Sequence, residues 1–237
     1  MQIQEVNNPT GLNNLTITEK LAFLVESDSL QKIDALTQEK YFFALIGACL
    51  ADLLLMKRLS LVENRIVLSN FQETNYKYLN HFLFEISSLG SNRTFLDVFP
   101  KLKLKAEELE ETIKKELIHE RLLHEKREGL PFIGQKITYP ENKDFLDQVL
   151  EEIRANLETN EVPNQENVYF ISLLETIGLL GKAFESKKEL DYGQKRIESW
   201  IEHDHALKLI CRTIDNEIKL EALNHMSYRK GQSGLFR

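Results

Sequence analysis

The 237-residue chain is poor in residues that interrupt regular structure, with only five prolines and ten glycines. Because proline and glycine weaken or end helices and strands, their scarcity predicts long regular elements. Hydrophobic residues make up 42% of the chain and charged residues 28%, which is the balance of a globular protein and excludes a disordered one. No Pro/Gly-rich linker divides the sequence, so we expect one domain with a sizeable core.

Cysteine and excess positive charge are also lacking. Cys49 and Cys211 each lie among apolar residues without paired spacing, which predicts buried free thiols in a reducing compartment. The 30 lysines and arginines are outnumbered by 37 acids, giving a net charge of −7. A protein whose whole surface wraps nucleic acid needs the opposite balance, so nucleic acid is an unlikely partner.

No long apolar run is present. The longest, 41–56, is interrupted by Asp52 and falls short of the ~20 residues that span a bilayer. The first eight residues have neither a basic region nor an apolar core, unlike a secretory signal. We therefore expect a cytoplasmic protein whose contact with a membrane would be peripheral.

Signatures of catalysis and metal binding are missing as well. His119 and His124 are five residues apart, roughly 140° around a helix, whereas zinc proteases place two histidines four residues apart on one face. His203 and His205 have no recognisable third ligand nearby. Without a phosphate loop or a nucleophile motif, we predict a non-enzymatic protein with no cofactor and no metal.

What the sequence does contain is helical periodicity. Thr16 and Glu19 match a capping box, so a helix is expected to begin there. Between Leu59 and Leu68 the apolar period shortens towards two, which predicts two short strands around Glu63-Asn64. We predict further helices around 78–86, 107–123, 145–157, 168–184, 192–201 and 206–223, and a second hairpin over 130–139.

A long helix followed by a short hairpin thus occurs twice, over 44–68 and 107–139. The spacing does not repeat residue for residue, so we interpret the recurrence as a structural echo and not a duplication. The predicted fold class is mainly α: a single-domain helical bundle with small β-hairpins.

The second hairpin combines an apolar turn with positive charge. Leu130, Phe132 and Ile133 follow a charged run that contains Lys126 and Arg127. Such a turn could enter the headgroup layer of a membrane, assisted by the lysines at 101, 103 and 105. In the alternative, which composition alone favours, the turn packs into the core and the lysines are merely solvated.

A helix followed by a hairpin also occurs in winged-helix DNA-binding proteins, which require a basic recognition helix. The segment 45–56 offers Lys57 and Arg58 only at its end, and 107–123 carries more acid than base. A DNA-binding role is therefore the third choice, behind a membrane adaptor and a soluble oligomeric scaffold that uses the hairpin as a protein interface.

Several segments resemble the Golgi phosphoprotein 3 family. They are LTITEKL at 15–21, GACLADLLLMKRLSL at 47–61, 118–123, 182–184 and LDYGQKRI at 190–197. In that family a similar apolar helix ends in a basic-Leu-x-Leu strand. The resemblance covers roughly 15–223, and we interpret the chain as a divergent, bacterial member with an N-terminal extension (1–14), a family domain (15–225) and a basic C-terminal tail (226–237).

The resemblance implies a mainly helical, peripheral membrane protein that recognises phosphatidylinositol 4-phosphate, which in eukaryotic members retains glycosyltransferases in the Golgi. The implied partners are anionic or phosphoinositide headgroups. In the family an apolar hairpin assists membrane insertion or self-association, and Leu130, Phe132 and Ile133 occupy that place here.

The headgroup pocket is where the chain departs from the family. Lipid-binding members use a tryptophan and an arginine around the first apolar helix and two arginines before the second hairpin. The corresponding positions here hold Thr37, Ile46, Glu107 and Glu110. Two carboxylates in place of two cations are expected to repel a phosphorylated headgroup, although Lys40, Lys103 and Lys105 lie near in sequence and could compensate.

Overall fold

The computed structural model describes residues 15–26, 35–90, 93–130, 133–138, 142–159, 161–184 and 186–233. The helices are α1 (Ile17–Glu26), α2 (Ala35–Leu55), α3 (Lys77–Ser88), α4 (Phe95–Lys103), α5 (Ala106–His119), α6 (Lys143–Glu158), α7 (Gln165–Thr176), α8 (Lys187–His203) and α9 (His205–Ser233). The strands are β1 (Leu59–Val62), β2 (Arg65–Leu68), β3 (Arg93–Thr94), β4 (Lys126–Leu130) and β5 (Ile133–Thr138). The predicted mainly α fold with small hairpins is confirmed.

Helix α2 is the centre of the molecule, and its neighbours include α1, α7 and α9. Every residue from Tyr41 to Leu53 is buried, so α2 contacts protein on all sides. This placement makes a DNA recognition helix at 45–56 impossible, because such a helix must be exposed to enter a groove. Cys49 on α2 and Cys211 on α9 are buried free thiols, as the sequence predicts.

Helix α1 begins with the predicted capping box. The backbone N–H of Thr16 donates to the Glu19 carboxylate at 2.9 Å, and the Glu19 N–H donates to the Thr16 hydroxyl at 3.1 Å. The same helix end is also fixed to α2, because Asp52 accepts hydrogen bonds from the N–H groups of Ile17 and Thr18, both at 3.0 Å. These contacts satisfy donors that the first helical turn leaves free.

The first hairpin forms where it is predicted. Strands β1 and β2 pair antiparallel with Leu61 opposite Ile66, and β3 extends the sheet in the order β1-β2-β3. Glu63 and Asn64 both have positive φ, 50° and 64°, as a tight two-residue hairpin turn requires. Leu59 and Ile66 are buried, so this hairpin belongs to the core.

Two helical predictions need correction, and one further helix was not predicted. The helix predicted over 107–123 ends at His119, and Arg121 then takes a positive φ of 61° that turns the chain towards the second hairpin. The helix predicted over 168–184 ends at Thr176, because the chain reverses at Gly178, where φ is +77°, and continues as a 3-10 helix over Leu180–Ala183. Helix α4 was not predicted, although its apolar residues follow helical spacing around Pro100.

Two further features concern the ends of the domain and the membrane. Helix α9 continues to Ser233, past the expected boundary at 225. In the part of the chain that the structure describes, none of the helices has the length and apolar character needed to cross a membrane.

Candidate functional site

The positions that the resemblance assigns to the family's headgroup pocket lie on α2 (Thr37 and Ile46) and on α5 (Glu107 and Glu110). Glu110 on α5 lies close to Glu26, the last residue of α1, whose negative charge disfavours the ionised form of Glu110. One turn further along α5, the Lys114 ammonium lies 3.0 Å from the other side of the Glu26 carboxylate. Two acids and one lysine therefore meet at the junction of α1 and α5.

Burial controls the protonation of this group. Removal from water, together with the negative charge of Glu26, raises the pKa of Glu110 to about 8, although Lys114 acts in the opposite direction. Glu110 is therefore largely protonated at neutral pH, because burial and the nearby negative charge of Glu26 both disfavour its ionised form.

Tyr41 of α2 lies close enough to Glu26 and Glu110 for their charges to affect its hydroxyl group. Burial raises its pKa well above the usual value, and the charges of Glu110 and Glu26 add to this effect. Its side chain is 1% exposed, and among the described residues its hydroxyl group has no hydrogen-bond partner. We refer to Glu26, Tyr41, Glu110 and Lys114 as the acidic cluster.

The four positions inferred from the family do not form an open basic pocket. Ile46 is fully buried in the core, where it cannot contact a headgroup. Glu107 is exposed one turn before Glu110, and Thr37 lies in the first turn of α2, where its side chain is outside the described residues. Of these four, α5 brings together only the two glutamates.

The lysines expected to compensate are partly neutralised by acids. Lys103 lies 3.0 Å from Glu39, also pairs with Glu221, and its ammonium is 4.8 Å from the centre of the Phe43 ring. Burial lowers the pKa of Lys103, but its hydrogen bonds to Glu221 and Glu39 outweigh this effect and raise it. Lys103 thus serves as a tether between α2, α4 and α9.

The other cations that were expected to attract anionic lipid differ in their exposure and in their acidic neighbours. Lys105 lies 3.5 Å from Glu108 and 3.9 Å from Glu85. Lys40 is half-buried and Lys101 is exposed, and neither forms an ion pair within the described residues. Lys126 is exposed on β4, whereas the Arg127 side chain lies outside the described residues.

The second hairpin begins earlier than predicted, at Lys126, so most of the charged run forms its first strand. Leu130 pairs with Ile133, and an irregularity between Glu128 and Leu130 shifts the register near the tip. Phe132 falls outside the described residues, in the two-residue connection between the strands. Within the described residues, β4 and β5 pack mainly against each other.

The base of this hairpin is firmly attached to the domain. Leu122 and Leu123 are fully buried just before β4, and the Asn142 N–H donates to the Leu122 carbonyl at 3.0 Å where the chain returns. Both ends of the hairpin are therefore anchored, while its strands have little support from the rest of the described structure.

Sequence reasoning missed most of the acidic cluster. Glu26, Tyr41 and Lys114 are distant in sequence and look like ordinary helix residues. Lys114, four residues after Glu110, was a detectable signal on α5, whereas the approach of α1 was not. Across the described residues, no three His, Cys, Asp or Glu side chains are placed to hold a metal ion.

The described structure is a helical domain in which a two-stranded hairpin follows α5 and is attached through Leu122, Leu123 and Asn142. The family model described as Golgi phosphoprotein 3 (GPP34) matches residues 17–216, which is most of the chain. The chain therefore belongs to the Golgi phosphoprotein 3 family. No curated protein matches it in sequence.

Proposed function

We propose that this protein is a non-enzymatic, peripheral membrane adaptor that uses its second hairpin to contact anionic membranes and no longer recognises phosphatidylinositol 4-phosphate in the family's pocket. The observation that carries the proposal is the contrast between a retained hairpin and an acidic cluster in place of the arginines. Membership of a family that is not known for enzymes supports a binding role.

The loss of phosphoinositide recognition follows from charge. A phosphate group at the acidic cluster would meet the side chains of Glu26 and Glu110, and Lys114 of the same cluster is already bound to Glu26 at 3.0 Å. Charge-assisted hydrogen bonds, which make arginine an effective phosphate ligand, are absent from these two α5 positions. We therefore expect the headgroup to be repelled.

The membrane contact is assigned to Leu130, Phe132 and Ile133, with Lys126 and Arg127 on the adjoining strand. Apolar side chains at a hairpin tip gain free energy by entering the interfacial layer, and each nearby Lys or Arg adds about 1 kcal/mol on an anionic surface. Anchorage through Leu122 and Leu123 would hold the tip in place as it inserts.

Co-sedimentation with three sets of vesicles tests this proposal: phosphatidylcholine alone, phosphatidylcholine with phosphatidylserine, and a charge-matched mixture containing phosphatidylinositol 4-phosphate. We expect binding to both anionic sets, with no preference for the phosphoinositide. F132D should weaken binding about tenfold, because it replaces a large apolar side chain by a charge.

Phe71 provides a matched control. It is an exposed phenylalanine, 73% accessible, in the loop after β2. F71D makes the same chemical change outside the hairpin and should leave vesicle binding unchanged. Equal losses in F71D and F132D, or absence of binding to either anionic vesicle, would refute the membrane role; a clear preference for the phosphoinositide would refute the loss of headgroup recognition.

A second candidate function is self-association through the hairpin. Strands β4 and β5 form a two-stranded sheet, and within the described residues neither outer edge has a strand partner. Free edges of this kind can pair with another chain. Light scattering distinguishes this function from the first: F132D should then convert an oligomer to a monomer while vesicle binding is negligible in both proteins.

DNA binding has little support. The described surface of α5 presents Glu107, Glu108 and Glu111 to solvent, and α2 is buried. An acidic helix before the hairpin cannot supply the phosphate contacts that a winged-helix protein needs.

A further inference from the structure

A small apolar cavity of about 130 Å³ lies where α1, α6, α7 and the 3-10 helix meet. Nine residues line it, and eight of them are apolar. The lining consists of Leu24, Leu146, Leu150, Ile153, Leu174, Leu179, Leu180, Lys182 and Ala183.

The cavity results from how α6 packs. One row of α6 residues, which includes Val149 and Ile153, is fully buried in the core. The adjacent row, Leu146 and Leu150, is only half-buried and lines the cavity. Apolar side chains at these spacings lie on one helical face, so α6 leaves an apolar strip incompletely covered.

The opposite wall is held in place by two features. Gly178, with a φ of +77°, ends α7 and allows the chain to return along α6. The Arg154 guanidinium then donates a hydrogen bond to the Ala183 carbonyl, which joins α6 to the 3-10 helix. The cavity is therefore a preformed space between two connected elements.

Lys182 is the one charged residue in the lining. It is exposed, so its position marks the mouth of the cavity. Lys182 has no salt-bridge partner among the residues that the structure describes, so its ammonium is available to a ligand. A lysine at the rim of an apolar space complements a molecule with a hydrocarbon chain and one terminal negative charge.

We propose that this cavity binds a short, straight-chain monocarboxylate, with its alkyl chain among the leucines and its carboxylate at Lys182. An engineered apolar cavity of ~150 Å³ binds benzene, so a cavity of this size accommodates a chain of about six carbons. Hexanoate is the matching probe. The proposal does not depend on membrane binding by the hairpin.

Isothermal titration calorimetry with hexanoate and with 1-hexanol, its uncharged counterpart, tests the proposal. For a ligand of this size we expect a dissociation constant on the order of 1 mM. K182E should weaken the binding of hexanoate about tenfold, because residue 182 would then repel the carboxylate instead of attracting it. The affinity for 1-hexanol should be unchanged. K195E reverses the charge of an exposed residue on α8 that does not line the cavity, and it should change the affinity for hexanoate less than twofold.

Filling the cavity provides the second test. L150F and L146F each add volume to the wall and should remove binding of both compounds, with folding checked by thermal melting. Methyl spectra of the wild-type protein with hexanoate give a measurement that needs no variant, with shifts expected at the lining leucines. The proposal is overturned if hexanoate does not bind, if it binds equally to the two phenylalanine variants, if K182E and K195E weaken it equally, or if the shifted methyl groups lie elsewhere.

Discussion

Two carboxyl groups in this protein, those of the buried Asp52 and the half-buried Glu110, have similarly raised pKa values and opposite surroundings. Burial raises the pKa of Asp52 to about 7 and that of Glu110 to about 8. Asp52 accepts hydrogen bonds from the N–H groups of Ile17 and Thr18 and, at 2.6 Å, from the Thr18 hydroxyl. Glu110 faces a second carboxyl group on Glu26.

This difference in surroundings distinguishes the structural role of Asp52 from the candidate functional role of Glu110. Asp52 exchanges its hydration for hydrogen bonds that fix α1 to α2, so its burial is compensated. Glu110 gains few such bonds, and the neighbouring Tyr41 hydroxyl has no partner within the described part of the chain. The polar groups of the acidic cluster are therefore less completely satisfied by hydrogen bonds than those around Asp52.

The largest expected effect is at Asp52. D52A would leave two N–H groups and one hydroxyl buried without an acceptor, and should reduce the free energy of unfolding by about 3 kcal/mol in urea denaturation. D52N keeps an acceptor oxygen and should cost about 1 kcal/mol. A loss below 1 kcal/mol in D52A would show that the Asp52 contacts contribute little to stability.

The wild-type protein should be more stable at pH 5 than at pH 9. Folding raises the pKa of Asp52 from 3.8 to about 7 and that of Glu110 from 4.5 to about 8, so the folded state binds more protons between these values. The resulting stability is fully present below the unfolded pKa values and is lost as the pH rises through about 7 to 8. Urea midpoints across pH 5–9 measure it, and a rise in stability over this interval would contradict the prediction.

E110Q replaces the Glu110 carboxyl group by a neutral amide. It removes the like-charge contact with Glu26, so we expect an increase of about 1 kcal/mol in stability at pH 9, allowing for partial solvent screening, and a shallower pH dependence. E111Q is the matched control, because Glu111 is exposed on the same helix. Identical pH profiles for wild type and E110Q would assign the titration to Asp52 alone.

The smallest effect concerns two buried tyrosines. Y41F removes a hydroxyl without a partner in the described structure and should be neutral or stabilising by up to about 0.5 kcal/mol. Y78F removes a hydroxyl that lies 2.7 Å from the Thr16 hydroxyl and should cost about 1 kcal/mol. Thermal melting measures both, and a larger loss in Y41F than in Y78F would mean that Tyr41 has a partner after all.

Local sequence signals anticipated much of the fold. The Thr16–Glu19 capping box and the Glu63-Asn64 turn formed as expected, because each depends on neighbours within three or four residues. The errors arose where a distant contact or a special backbone conformation decided the outcome, as at Gly178 and Arg121. The hairpin residues Leu130, Phe132 and Ile133 and the altered headgroup recognition remain predictions, which vesicle binding can test.

The sequence by itself determined the helical class, the first hairpin, the free thiols and the family, since these follow from periodicity, short-range turns and residue patterns along the chain. Only the tertiary structure decided how charges group together. Lys103 became a tether because α2, α4 and α9 bring Glu39 and Glu221 to it. The pKa of Glu110 is raised because packing removes the group from water and because α1 brings Glu26 to α5. Electrostatic interactions depend on distance and burial in space, and neither is encoded in the spacing of residues along the chain.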